Sequence, residues 1–153
     1  MLSLRSSPPT DRVLKWNAYI QMAMLAGYQA LENIAYLSNK GILFRRLSKQ
    51  RRIWCDVISC RFWTAWVVGE FVRIAREVQL RARRKAEVGK ADEVEEKEQM
   101  KAWGSDLVVN AAYLPLCLHW SFESGIGIPE WGVGLLGAIA GAIGVKGAWK
   151  RTG

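Results

Sequence analysis

Residues 131–150 read WGVGLLGAIAGAIGVKGAWK, and what solvates this stretch decides the fold. It holds no charged residue from Trp131 to Val145, carries a Trp near each end (Trp131, Trp149), and closes on Lys146, Lys150 and Arg151. Glycines 134, 137, 141 and 144 recur at spacings of three, four and three, so in a helix they share one face, and Gly137 and Gly141 form a G-x-x-x-G pair. In water each interior glycine costs a helix ~1 kcal/mol relative to alanine. In hydrocarbon the same glycines let helix backbones approach closely, while Trp residues seat at the two interfaces and basic side chains extend to headgroups. The segment therefore reads as an anchor, with Trp131, Gly134, Gly137, Gly141, Gly144 and Trp149 expected to carry anchoring and helix packing. The competing reading is a flexible glycine-rich tail, in which Leu135, Leu136, Ile139 and Ile143 would be out of place.

Upstream, Ser124–Pro129 is a turn rich in Gly and Pro, preceded by Leu107–Phe122, which contains no Lys, Arg, Asp or Glu. Those sixteen residues give ~24 Å of helix, short of a bilayer crossing, and Pro115 is expected to bend or split it. Residues 80–101 are dominated by charge, first basic and then acidic, with Gly89 as a break, and read as a solvated linker or helical extension. Between 53 and 78, apolar or small residues fall at Ile53, Val57, Cys60, Thr64, Val67, Phe71, Ile74 and Val78, one helical stripe widened by the row Trp54, Ile58, Ala65, Val68, Val72 and Ala75. This helix packs in a bundle or lies on lipid; both readings stand.

The run from Lys40 to Arg52 carries Lys40, Arg45, Arg46, Lys49, Arg51 and Arg52 with no acid. Beside apolar helices such a run faces anionic lipid, so Arg45, Arg46, Lys49, Arg51 and Arg52 are expected to contact lipid phosphate. Val13–Leu37 is the first long apolar segment, and from Trp16 to Asn39 Glu32 is its single charge. Thr10 or Asp11 can cap its start and Lys40-Gly41 its end. Asn17, Gln21, Gln29, Glu32 and Asn33 make a fully lipid-facing helix less apt than one half covered by neighbours.

The whole chain, 153 residues with a formal net charge of +8 and eight Trp, fits about one domain. Met1–Thr10 has no apolar core of a secretory signal. Cys55, Cys60 and Cys117 form no C-x-x-C pair and read as buried thiols. No phosphate loop, dinucleotide fingerprint or H-E-x-x-H occurs, and His119, on an apolar stretch, reads as a satisfied imidazole; neither catalysis nor a cofactor is expected. The basic clusters could meet nucleic acid, but the apolar segments favour lipid, so no nucleic-acid partner is expected.

Three stretches carry a resemblance: VLKWNAYIQMAMLAGYQALENIAYLSNKGI at 13–42, SDLVVNAAYLPLCLHW at 105–120 and WGVGLLGAIAGAIGVKGAWK at 131–150. In order and spacing they resemble the peroxin-11 family, the peroxisomal biogenesis factor 11 membrane proteins, and most of all its fungal members. The resemblance implies a non-enzymatic peroxisomal membrane protein that promotes peroxisome elongation, fission and proliferation by membrane insertion and self-association. Its implied partners are membrane lipids, further copies of itself in a homo-oligomer, and the fission machinery. Family members carry a further region upstream of the first segment, including the helix credited with remodelling. Here twelve residues precede Val13, so the N-terminal part is expected to be lacking, with the 53–78 helix as a substitute. A channel or transport subunit for small solutes, with Asn17, Gln21, Glu32 and Asn33 on a water-filled path, is the alternative.

The fold expected is all-α: a membrane-associated helical bundle with amphipathic helices and a C-terminal Gly-rich hydrophobic helix. Helices are expected near 11–39, 48–88, 91–102 (separate or fused to the previous one), 104–122 and 130–150. The organisation expected is one domain over 1–153: a tail at 1–12, a first half at 13–88, a charged linker at 89–103 and a second half at 104–153.

Overall fold

The computed structural model describes residues 11–42, 48–88 and 93–152, side chains at 87, 88, 93, 95 and 150–152 excepted. They form four helices and, among the described residues, no strand: α1 (Arg12–Asn39), α2 (Lys49–Val88), α3 (Glu93–Trp120) and α4 (Glu130–Thr152). Each helix packs on its chain neighbour, α1 on α2, α2 on α3 and α3 on α4.

Of the two candidate caps for α1, Asp11 lies within the described residues: its carboxylate accepts from the Val13 and Leu14 amides at 3.0 and 3.2 Å, filling orphan donors of the first turn. The helix stops at Lys40, and Gly41 follows at φ +71°, the left-handed conformation that lets the chain leave a helix without a Cβ clash.

Antiparallel packing of α1 on α2 is set by polar side chains. The Asn17 amide donates to the Gly69 carbonyl at 2.9 Å, and the buried Gln21 donates to Glu70 Oε1 at 2.8 Å. The two backbones approach closely because position 69 has no side chain; a Cβ there would stand 2.8 Å from Gln21 Cγ. At the far end Arg52 Nη1 donates to Asn39 Oδ1 at 2.6 Å.

Two cross-links join α1, α2 and α3. One is aromatic: the Trp63 ring lies 6.2 Å from Tyr28 of α1 and 5.5 and 6.0 Å from Tyr113 and Trp120 of α3. The other, ten residues or ~15 Å further along α2, is ionic. Arg73 Nη2 meets Glu70 at 2.7 Å and Asp106 of α3 at 2.9 Å, while Nη1 reaches Glu77 at 3.4 Å. Glu77 also accepts from the Trp103 indole at 2.8 Å. Burial alone would lower the Arg73 pKa, but the surrounding carboxylates more than offset it and hold the guanidinium charged above its ordinary range.

The helices expected separately at 91–102 and 104–122 are one continuous helix, α3. Gly104 does not break it, because Trp103 and Asp106 on either side are both tied to α2. Pro115 does not split it either. Proline there removes the donor that would reach the Ala111 carbonyl, and Ala111 lies on the exposed side, where that loss is tolerable.

Beyond Trp120 the chain turns through residues 121–129. His119 Nδ1 accepts from the Ile126 amide at 3.1 Å, and Gly125, at φ +67°, lies so close that a Cβ would fall 2.4 Å from the imidazole. His119 is thus a corner residue, bonded as an acceptor. Cys55 and Cys117 are buried and Cys60 half-buried, all as free thiols, and burial pushes the Cys60 and Cys117 thiols up.

Arg73→Leu leaves Glu70, Glu77 and Asp106 without their shared cation; the cost expected for a partly buried pair is ~1–3 kcal/mol, read as a lower unfolding midpoint in detergent micelles. The Asp11 carboxyl is lowered from 3.8 to about 2, chiefly by its hydrogen bond from Arg76 at 2.8 Å. A depressed carboxyl stabilises the fold above its ordinary value and ceases to do so as pH falls through about 2. Protection of the Val13 and Leu14 amides, taken as the intrinsic exchange rate at each pH over the observed one, should fall between pH 4 and pH 2, and Asp11→Asn should remove that dependence.

Candidate membrane-contact site

Several polar side chains of α1 and α2 are spent between the helices, and apolar residues stand exposed outside that contact. On α1, Asn17 and Gln21 engage α2, whereas Val13, Trp16, Tyr19, Ile20 and Met22 are exposed. On α2 the stripe Ile53–Val78 is largely covered, with Val67 and Ile74 fully buried. The widening row is the outward one: Trp54, Ala65, Val68, Val72 and Ala75 are exposed. At ~100° per residue this row lies roughly opposite Glu70, Arg73 and Glu77, the charges tied to α1 and α3, while the exposed Arg61 falls on the row's own side.

In α4, twenty residues from Glu130 to Trp149 are long and apolar enough to cross a membrane. Trp131 and Trp149, at the two ends, are 74% and 77% exposed. The side packed on α3 is the row Gly132, Val133, Leu136, Ala140 and Ile143, with Ala140 1% exposed. The expected glycine face lies roughly a third of a turn away. Around Gly134, Gly137, Gly141 and Gly144 no atom comes within 4 Å of where a Cβ would stand. These four glycines therefore make no close helix contact within the chain, and the surface they share is open.

Of the expected phosphate contacts, Lys49 and Arg51 are exposed at the start of α2, and Arg45 and Arg46 lie outside the described residues. Arg52 is half-buried, and its Nη1 donates to Asn39, joining α2 to the end of α1. Lys146 is exposed; the side chains of Lys150 and Arg151 lie outside the described residues. Glu32 is exposed, with no salt bridge among the described residues; burial, helped by this carboxylate one turn away, pushes the Tyr28 phenol up to about 12.

The exposed residues Val13, Trp16 and Ile20 were not singled out by sequence reasoning. Their signal is a three- and four-residue apolar spacing about a quarter of a turn from Asn17 and Gln21, masked because the whole segment is rich in apolar residues.

These features define an all-helical protein with one helix fit to span a bilayer and outward apolar faces on two others. The chain belongs to the peroxisomal biogenesis factor 11 (PEX11) family, whose model matches residues 1–149. It is 30% identical over 125 residues to the uncharacterized protein C1F12.04c of Schizosaccharomyces pombe, an alignment that covers 82% of this chain and 55% of that protein. The chain thus spans about half the length of this curated relative. No solved structure matches it. Membership of this family implies a peroxisomal membrane protein involved in peroxisome biogenesis and proliferation.

If the glycine row is a surface for a second helix, Gly137→Leu together with Gly141→Leu should lower the yield of membrane crosslinking between copies of the chain. Because both sites are open within the chain, the variant should keep its helical content, measured by circular dichroism.

Proposed function

We propose that this chain promotes peroxisome elongation, fission and proliferation by inserting into the peroxisomal membrane and associating with further copies of itself. The observation that carries the reading is the open glycine row of α4, bracketed by exposed Trp131 and Trp149 on a helix long enough to span. Such a helix has its α3 side already covered, and its free side is shaped for close backbone approach. The exposed rows on α1 and α2 add apolar surface outside the anchor, the kind that displaces headgroups when buried ~5–10 Å into a leaflet. Clustering such copies concentrates the area mismatch between leaflets and hands a bent, elongated membrane to the fission machinery. The action is mechanical and calls for no catalytic group.

The channel reading draws less support from the same residues. Asn17 and Gln21 spend their amides on α2, so these two groups hold helices together where a path would need them free.

Purified full chain added to liposomes should tubulate them without releasing a small trapped dye; leakage without a change of shape would transfer the function to the channel reading. In cells, deletion should reduce the number of peroxisomes and enlarge those that remain, counted by imaging a matrix marker, and the Gly137→Leu, Gly141→Leu double variant should restore numbers only in part.

A further inference from the structure

Ser121 follows the last residue of α3 and is held to α2 from two directions. Its carbonyl accepts from Arg61 Nε at 3.3 Å, and its hydroxyl lies 3.1 Å from Thr64 Oγ1. The loop that comes next, residues 122–129, has no such hold. Among the described residues one hydrogen bond reaches from it back to α3: the Ile126 amide donates to His119 Nδ1 at 3.1 Å. The Gly125 amide bonds within the loop, to the Phe122 carbonyl at 3.0 Å, and Pro129 accepts from the first turn of α4. The loop also wraps the imidazole closely, since Gly125, at φ +67°, leaves no room for a Cβ against the ring. The charged groups of the elements that meet at this corner are Arg61 of α2, Glu123 of the loop and Glu130 of α4, and among the described residues none is bonded to the imidazole.

Histidine is the side chain whose charge ordinarily changes between about pH 5 and pH 8. Nδ1 accepts from the Ile126 amide only through its lone pair. A proton taken up there turns the acceptor into a donor, and two N–H groups then face each other across the contact.

We infer that His119 is a proton-sensitive latch on the joint between α4 and the rest of the bundle. At high pH the ring holds the 122–129 loop against the end of α3. Protonation releases the loop and loosens the joint, while the end of α3 stays fixed through Ser121. The helix read above as the anchor thus has a hold on the bundle that varies with the acidity around the loop. The latch belongs to this joint alone and depends neither on self-association nor on membrane bending.

Amide hydrogen exchange of the full chain in detergent micelles tests the latch, with protection taken as the intrinsic rate at each pH over the observed one. Between about pH 8 and pH 5, protection of the Ile126 amide should fall roughly fivefold, the worth of one hydrogen bond, while that of the Val133 amide, bonded to Pro129, stays level. The nitrogen resonances of the imidazole should titrate over the same range. His119→Asn sets an amide oxygen near the place of Nδ1 and gains no proton there, so it should keep Ile126 protected throughout. His119→Phe keeps a ring without an acceptor and should leave Ile126 unprotected at every pH.

Level protection of Ile126 in the wild-type chain would overturn the latch. So would a fall shared equally by Val133, which means general loosening, or a fall that persists in His119→Asn. Should that variant fail to fold, judged by circular dichroism, the wild-type chain still decides: an imidazole that titrates with no matching change at Ile126 removes the inference.

Discussion

The arrangement of α1, α2 and α3 depends on one guanidinium. Arg73 stands among Glu70, Glu77 and Asp106, with Gln21 bonded to Glu70 from one side and Trp103 bonded to Glu77 from the other. Taking these groups out of water is costly unless each is paired, and the pairing requires three helices at one level. Once that condition is met, Gln21, Glu70, Arg73 and Glu77 are satisfied between the helices. Apolar residues stand exposed outside that contact: Trp16, Tyr19, Ile20 and Met22 on α1, Val68 and Val72 on α2.

Val13, Trp16 and Ile20 of α1 and Val72 of α2, all exposed, bring this apolar surface together at the contact of the two helices. The fourth helix repeats the theme by a different route. It has almost no polar groups to hide, and it packs on α3 through Gly132, Leu136 and Ala140 while its glycine row stays uncovered. The two halves of the chain thus meet the same solvent, one by spending several polar residues between its helices and the other by having few. Membership of the PEX11 family agrees with a lipid environment for both.

Much of this was legible in the residues. Asp11 and Lys40-Gly41 bracket α1 because capping chemistry is local, and the period of the Ile53–Val78 stripe marks the covered side of α2 because burial follows helical phase. The ionic cross-link was not legible. Arg73 and Asp106 are 33 residues apart, and nothing in a single sequence says which acid a given arginine meets. For the same reason α3 was read as two helices: Gly104 and Pro115 are breakers in isolation, and the ties at Trp103 and Asp106 that carry the helix across Gly104 are tertiary. The glycine spacing in α4 was read correctly as one face, yet whether that face would pack within the chain depended on which row α3 occupies.

Because every helix touches only the one before and the one after it, the molecule has no closing contact that must wait for the last residue to be made. The first hairpin, with Asn17 on Gly69 and Gln21 on Glu70, is complete once α2 has been synthesised, and α3 then adds onto an existing template. The anchor comes last, joined through the corner at His119 and Gly125. The order of the helices along the chain is thus also the order in which their contacts can form, α3 adding to the hairpin and α4 to α3.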